Sequence, residues 1–348
     1  MSPDSPGVVL VVTHDDDDHA PAVLDELHRR GAAVVRFNTE SYPERSSVRL
    51  ELSGDRLDPR FGLEDGELAG ADVGAVWYRH LKLPVARQVE DGEARVLAEA
   101  ELRATIEGAL LCLDAYWLNH PDANRLARHK PLQLALALEE GFTVPETRVT
   151  ADPEEIRGLY RDWGGRMVAK LVGGQLPVTA VEDQYVVYTT LLGEDDLRSD
   201  AALSACPAIY QRYVEKEFEL RLTVVGDAVF AARIYSQQSD GGSIDWRRAK
   251  RTSVRYEVEA VDAALEKRCL ALARRLGLGF AGLDLIVTPD GETVFLEVNA
   301  AGQWAWLQEA TGLPIAAAIA DTLIAGGRAA RARGPGRSID RDWTPALP

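Results

Sequence analysis

The chain has 348 residues, 46% of them hydrophobic and 27% charged, with a formal net charge of −16. That length and composition admit two or three domains with real cores, and exclude disorder, collagen and small disulfide scaffolds. The acidic balance argues against nucleic-acid binding, which needs a basic footprint, and no apolar run is long enough for a membrane span.

Residues 7–13 are a continuous apolar, β-branched run, expected as a buried strand. A helical pattern through Val23, Leu24 and Leu27 ends at Gly31, and Ala33 to Phe37 read as a second strand. This β-α-β start predicts an α/β domain with a parallel sheet. Between them, Asp15 to Asp18 with His14 and His19 suggest a metal cluster, but acids at a helix N-terminus are the simpler reading. Residues 73–78 predict another buried strand, and Glu93 to Leu118 a long helix. A second unit begins near Pro121. Asn124 to Glu140 read as a helix, Thr143 to Val149 as extended chain around Pro145, and Asp152-Pro153-Glu154-Glu155 as a capped helix start. Met167 to Leu171 form a strand ending at Gly173-Gly174. A third unit holds a strand at 207–214 and a hairpin pairing 218–225 with 228–236. An amphipathic helix over Val258 to Leu276 and a second hairpin, 281–288 with 293–299, follow. Pro314 to Ile324 read as the last helix, and the Gly-, Arg- and Pro-rich tail from Gly326 is expected to be disordered.

The N-terminus lacks a basic segment leading into an apolar one, so no signal peptide is expected. Cys112, Cys206 and Cys269 are odd in number and lack metal-type spacing. They read as reduced thiols of a cytoplasmic protein.

The chemistry concentrates in 281–303, AGLDLIVTPDGETVFLEVNAAGQ. With Asp290 and Gly291 as a two-residue type I′ turn, Asp284 falls opposite Glu297, and Asn299 shares the face of Glu297. Opposed carboxylates repel and need a cation between them. Oxygen-only ligands with an amide suit Mg²⁺, which takes its remaining ligands from water and substrate phosphates. A solvated hairpin face and a shared-proton carboxylate dyad are the competing readings. The apolar neighbours Leu283, Leu285, Phe295, Leu296 and Val298 speak against the first, and Asn299 has little use in the second.

Such a site implies a nucleotide. Neither G-x-x-x-x-G-K-[ST] nor a G-x-G-x-x-G after the first strand is present, so phosphates must be held otherwise. Only six of the 39 basic residues are lysines. Lys130 opens a helix in HKPLQL and Lys170 ends a strand in VAKLVGG, and both become phosphate ligands in company with the carboxylates. In the first hairpin Glu219 and Arg221 alternate on one face, joined from the second strand by Arg233. Taken alone these could be ordinary ion pairs, as could Arg247 within Asp245-Trp246-Arg247. His80 and His129 have no carboxylate partner in sequence. Trp304 and Trp306 suit either core packing or stacking on a peptide.

The order Lys130, Lys170, YQRYVEKEFELRLTVVGDAVFAARI, GLDLIV and FLEVN resembles the ATP-grasp superfamily. WYRH at 77–80, HKPLQL with GFTVPET, IDWR at 244–247 and NAAGQWAWLQEATGLPIAAAIADTL at 299–323 are similar to the ligases that mature graspetides, the microviridin-type ribosomal peptides. The resemblance covers roughly residues 8–325. It implies a mixed α/β ATP-grasp fold with an N-terminal pre-ATP-grasp domain (1–120), a central domain (121–204), a C-terminal domain (205–325) and a tail. It implies that Lys130 and Lys170 contact ATP phosphates, that Gln211, Arg212, Tyr213 and Val214 form an adenine-reading hinge, and that Glu217 or Glu219 reaches the ribose. It further implies Arg221 and Arg233 over the transferred phosphoryl group and Asp284, Glu297 and Asn299 on Mg²⁺. Arg247 joins them in holding an acidic core peptide. The family commonly has Asp where Glu219 stands, and the longer side chain moves the carboxylate.

The implied reaction converts a side-chain carboxylate of a precursor peptide to an acyl phosphate, which a Thr or Ser hydroxyl or a Lys amine attacks to close a lactone or lactam. The implied partners are a leader-bearing precursor peptide and a second copy of the chain. Two other readings use the same residues. One is an intermolecular ligase of the glutamate-ligase or glutathione-synthetase type, and the other a non-catalytic ATP-binding assembly protein.

Overall fold

The structure, a computed structural model, describes residues 5–53, 56–79, 81–173, 188–238, 244–248 and 254–333. His80, Gly174 and the chain after Arg333 lie outside the described residues.

The chain opens with β1 (Val8–Thr13), α1 (Ala20–Arg29), β2 (Val34–Asn38), β3 (Ser47–Ser53), β4 (Arg56–Leu63), β5 (Gly66–Ala69), β6 (Val73–Tyr78), α2 (Gly92–Leu111) and β7 (Tyr116–Leu118). Four strands form a parallel sheet in the order β2-β1-β6-β7. Buried on both faces, β1 needs the continuous apolar run its sequence has. The antiparallel sheet β3-β4-β5 was not anticipated. Val48, Phe61 and Leu68 bury one of its faces against Leu10, Val12 and Phe37. The helix expected over 93–118 stops at Leu111, and Tyr116–Leu118 pairs with β6 instead.

Next come α3 (Pro121–Ala127), α4 (Lys130–Glu139), β8 (Thr147–Thr150), α5 (Pro153–Asp162), β9 (Met167–Lys170), β10 (Thr190–Leu191), α6 (Asp200–Leu203) and β11 (Ala208–Arg212). The helix expected at 124–140 is therefore two. Pro131 sits in the first turn of α4, where its missing N–H costs nothing. The Asp152 carboxylate caps α5 by accepting from the amides of Glu154 and Glu155 at 2.8 and 3.1 Å. The second sheet is antiparallel, in the order β10-β9-β11-β8. Since β11 belongs to it, this unit runs past residue 204, where the sequence placed its end.

The remainder is β12 (Phe218–Val225), β13 (Ala228–Ile234), β14 (Tyr256–Val258), α7 (Ala263–Arg275), β15 (Phe280–Val287), β16 (Thr293–Asn299), α8 (Ala305–Thr311) and α9 (Ile315–Ala332). The third sheet runs β14-β13-β12-β15-β16, all antiparallel. The helix expected from Val258 starts only at Ala263, because Tyr256–Val258 pairs with β13. One face of this sheet packs on α7, through Leu220, Leu222, Leu283 and Leu285 against Leu265, Cys269 and Leu272.

The last helix returns to the first sheet, where Ile315, Ile319 and Leu323 join Val9, Val11 and Ala75 in one core. It extends to Ala332, well beyond the expected start of a disordered tail at Gly326. Gly326 and Gly327 are there for close approach. A Cβ on Gly326 would overlap the Tyr116 ring, and one on Gly327 would lie 2.6 Å from the Pro6 carbonyl. Among the described residues no helix is long and apolar enough to cross a membrane.

Candidate active site

The β15–β16 hairpin brings Asp284 opposite Glu297 and Gly282 opposite Asn299. It does so by a route different from the expected one. The turn has three residues, not two. The Thr288 amide donates to Glu292 O and the Gly291 amide to Thr288 O, both at 2.9 Å, and Gly291 takes φ +88°. That shifts the pairing of Leu285, Ile286 and Val287 by one residue, and a bulge next to Asp284 then leaves Leu296 as the extra residue and restores the shift. The two offsets cancel at the position that matters.

Around this pair the charges close into one cluster. Both Asp284 oxygens accept from Arg221 Nη1, at 2.7 and 2.8 Å, a contact set by the β12–β15 register that puts Arg221 opposite Asp284. Asn299 Nδ2 lies between the carboxylates, 2.8 Å from Asp284 Oδ2 and 3.2 Å from Glu297 Oε1. Lys130 Nζ, at the start of α4, is 3.0 Å from Glu297 Oε2. Burial works against the charge on Glu297, but Lys130 and Lys170 outweigh it and hold the carboxyl at about 2. Burial and the neighbouring Glu297 raise Asp284 against the pull of Arg221. Burial also pushes Lys170 down to about 8, with Glu297 opposing.

Arg221 is fitted between two glycines. A Cβ on Gly282 would lie 2.8 Å from Arg221 Cζ, and one on Gly302 would meet Arg221 Nη2 at 2.5 Å. Arg221 Nη2 also donates to Gln303 O at 3.2 Å. Gly282→Ala suits a strand backbone but must push the guanidinium off Asp284. The expected result is a folded protein whose turnover falls about 10-fold or more, read by comparing single-turnover rates with circular dichroism.

The other expected residues divide. Glu219 is 6% exposed. Its Oε1 accepts from Lys216 Nζ, and its Oε2 is buried without a hydrogen-bond partner. Burial pushes it up to about 7 against the pull of Lys216, and Asp284 adds to the rise. Lys216, which the sequence reading passed over, also donates to Ile244 O at 3.3 Å. Arg247 forms a two-pronged pair with buried Asp245, at 2.8 and 2.5 Å. That bond is the main reason the guanidinium holds its proton more tightly than usual, with Glu297 and Asp284 adding to the effect. Asp245 accepts from the Thr189 amide at 3.0 Å, which ties this segment to the second sheet.

Arg233 corrects an expectation. It pairs with Leu220, so it lies on the α7 face of the sheet, not the face of Glu219 and Arg221. It binds Glu259 and covers the Phe218 ring, with Cζ 4.6 Å from the centroid. In the second sheet, Lys170 pairs with Ile209 and Val168 with Gln211, so Lys170 and Gln211 share one face. Gln211 Nε2 donates to Thr147 Oγ1 at 2.9 Å, and its Oε1 is buried without a partner. The Arg212 side chain takes the α5 face, paired with Glu146 at 2.9 Å. Tyr213 donates its amide to Arg166 O at 2.8 Å, and the Glu217 amide donates to Val287 O at 2.8 Å, so 213–217 strap the two sheets together. Trp304 is fully buried, and Trp306 packs on Trp246 and Tyr256, so both serve the core. Asp15 pairs with Arg45, Asp16 with Lys82 and Asp17 with Arg79, and none of the acids at 15–18 lies in the first turn of α1.

Two carboxylates fit a hard divalent cation that draws its other ligands from phosphate and water, and Asn299 supplies a third oxygen once its amide turns Oδ1 toward them in place of Nδ2. Among the described residues no group of three or more His, Cys, Asp or Glu could hold a metal unaided. Lysines flanking the pair add what polyphosphate requires.

The cluster thus joins Lys170 on the second sheet to Asp284, Glu297 and Asn299 on the third, an arrangement suited to an enzyme that handles a metal-bound polyphosphate. Residues 127–323 match the RimK-like ATP-grasp domain, and residues 8–125 match the MvdD pre-ATP grasp domain. The chain belongs to the RimK-like ATP-grasp family and is an ATP-grasp ligase with an N-terminal pre-ATP-grasp domain. It is similar to macrocyclase MdnC, bound with precursor peptide MdnA, from Microcystis aeruginosa MRC. There the TM-score is 0.80 and the identity 29%, over 91% of this chain and 99% of that one. A Chryseobacterium gregarium RiPP-associated ATP-grasp ligase, in complex with ADP and a leader and core peptide, superposes with a TM-score of 0.83. The identity is 30%, over 95% of this chain and 98% of that one. A probable alpha-L-glutamate ligase of Pseudoalteromonas translucida (strain TAC 125) is 28% identical, over 64% of this chain and 73% of that protein.

Proposed function

We propose that the chain is an ATP- and Mg²⁺-dependent macrocyclase of a ribosomally made precursor peptide. It activates Asp or Glu side chains of the core as acyl phosphates and joins them to Thr or Ser hydroxyls, or Lys amines, of the same peptide. The observation that carries this reading is the convergence of Lys130, Lys170 and Arg221 on Asp284, Glu297 and Asn299. The likeness to a precursor-bound macrocyclase over 91% of the chain supports a peptide substrate. The glutamate-ligase likeness covers less, 64%.

Asp284, Glu297 and Asn299 hold Mg²⁺, which when bound neutralises charge on the transferring phosphoryl group. Lys130 and Lys170 bind phosphate oxygens. Gln211, the backbone of Arg212, Tyr213 and Val214, and Glu217 receive the nucleoside. Arg221 and Arg247 orient the core carboxylate. A carboxylate oxygen attacks the γ-phosphorus and the bond to ADP breaks. The hydroxyl or amine then attacks the acyl carbon, its proton passes to Glu219, and inorganic phosphate leaves.

The test is the intact mass of a leader-bearing precursor peptide with an acidic, Thr-, Ser- or Lys-containing core after incubation with enzyme, ATP and Mg²⁺. Loss of one water per ring, with equimolar ADP, is the expected outcome. An unchanged peptide, with ADP formed only on adding a free amino acid, would establish the intermolecular ligase instead.

A further inference from the structure

The first sheet changes direction at β1: the chain moves to one side of it to form β2 and returns to the other to form β6. In open parallel sheets the crevice beyond the carboxyl ends of such neighbours is the ligand-binding place. Here the residues beyond Thr13 and Tyr78 fill that crevice and grip another part of the same chain. Arg79 is 4% exposed and Asp17 5% exposed, with Arg79 Nε 3.6 Å from Asp17 Oδ2. Asp17 is held in turn by the Thr13 hydroxyl at 2.6 Å and the His19 amide at 3.1 Å.

What they grip is the segment just after Asn299. Arg79 Nη1 donates to Ala301 O at 2.9 Å and, more weakly, to Gly302 O at 3.4 Å. Asn119 Nδ2 donates to Ala300 O at 2.9 Å, and Arg221 Nη2 to Gln303 O at 3.2 Å. The Ala305 amide donates to His19 Nδ1 at 3.1 Å, and the His19 and Trp304 rings meet edge to face at 5.2 Å. The Gly302 amide donates to Asn299 O at 3.1 Å, which returns the constraint to the site residue. Each carbonyl from Ala300 to Gln303 thus accepts from a remote side chain, and two of those side chains, Asn119 and Arg79, follow strands of the first sheet. Arg79 Nε and Nη2 are buried without hydrogen-bond partners, a cost that a neutral core residue would avoid. What the guanidinium alone supplies is the reach to the backbone of this segment.

We infer that Arg79, anchored by Asp17, is a positioning residue: it fixes Ala300–Ala305 from the N-terminal unit and so sets Asn299 for the metal–nucleotide and Arg221 for the core carboxylate. This inference deepens the proposed function and rests on its assignment of Asn299. Supporting ligands one shell out typically change metal affinity about 10- to 100-fold.

The test uses Arg79→Lys and the near-isosteric Asp17→Asn, with Lys82→Met on the exposed Asp16 pair as the control. MgADP affinity is measured by calorimetry, and amide exchange of residues 299–306 by mass spectrometry on the nucleotide-free protein. Affinity should fall about 10-fold or more in Arg79→Lys and Asp17→Asn. Exchange at Gly302 to Ala305 should quicken in both, the control should match wild type, and Asn299→Ala should add little further loss. Wild-type affinity and exchange in a folded Arg79→Lys or, where that variant fails to fold, in Asp17→Asn would overturn the inference. A wild type without MgADP affinity would overturn the nucleotide reading itself, and the coupling with it.

Discussion

Glu297→Gln should leave the precursor peptide at its unmodified mass. Loss of the metal carboxylate removes several kcal/mol of transition-state stabilisation, on the order of a 10³-fold fall in rate. Glu297 is also the counter-charge for Lys130, 3.0 Å away, and for Lys170, which burial already pushes down to about 8. With Gln in its place the two lysines, which repel each other, lose their main counter-charge. The side chains of Glu297 and Lys130 are 20% and 21% exposed, so solvent softens the penalty, and a loss of about 1–3 kcal/mol in urea unfolding is expected. The Glu297 carboxyl is depressed to about 2. Its contribution is therefore present above the ordinary carboxylate pKa and is lost as pH falls toward 2, a slope the variant should lack. Glu292 on the same hairpin is exposed and accepts from Thr143 at 2.9 Å. Glu292→Gln should form rings at the wild-type rate. Ring formation by folded Glu297→Gln would remove this carboxylate from the metal site.

The cluster around Asp284 was more legible than the strands that carry it, for reasons visible in particular residues. Asp284, Glu297 and Asn299 stand out because side chains alternate along a strand and a Gly-containing turn limits the register. The turn was still misjudged by one residue, and only the bulge at Leu296 brought Asp284 back to Glu297. Local sequence does not announce such a bulge, since Leu296 beside Phe295 reads as one more apolar strand residue. The error over Arg233 was avoidable: the turn at Gly226-Asp227 pairs Val225 with Ala228 and therefore Leu220 with Arg233. Lys216 was missed although lysine is scarce in this chain, because it precedes the strand and reaches Glu219 across the bend. The small sheet over 47–69 was hidden by charges such as Arg49, Glu51 and Arg60, which one solvated face tolerates. Gly326 and Gly327 look like a linker until Tyr116 and Pro6 are seen pressed against them. Arg79 shows the limit most clearly, since its role depends on a carbonyl 222 positions later in the chain.

Glu219→Gln should flatten the pH profile of ring formation and lower the rate at neutral pH about 10²-fold or more. Glu219 lies on β12 two residues before Arg221, on the same face, and burial raises it to about 7 against the pull of Lys216. A carboxylate tuned to that value is half-ionised near neutrality and can both accept a proton from the attacking hydroxyl and release it. Wild-type kcat should therefore rise through about pH 7, and the variant should lack that limb. Stability gives an independent reading. A carboxyl whose folded pKa exceeds its unfolded value near ~4.3 binds its proton more tightly when folded. Its favourable contribution is complete below the unfolded value and declines as pH rises through about 7. Removing it should raise the stability of Glu219→Gln relative to wild type by about 4 kcal/mol between acid and mildly alkaline pH. Any constant cost of leaving Lys216 without its partner displaces the whole curve and leaves the slope intact. Parallel stability curves would show that Glu219 titrates ordinarily. A retained neutral limb in the rate profile of the variant would transfer the proton-accepting role to another group.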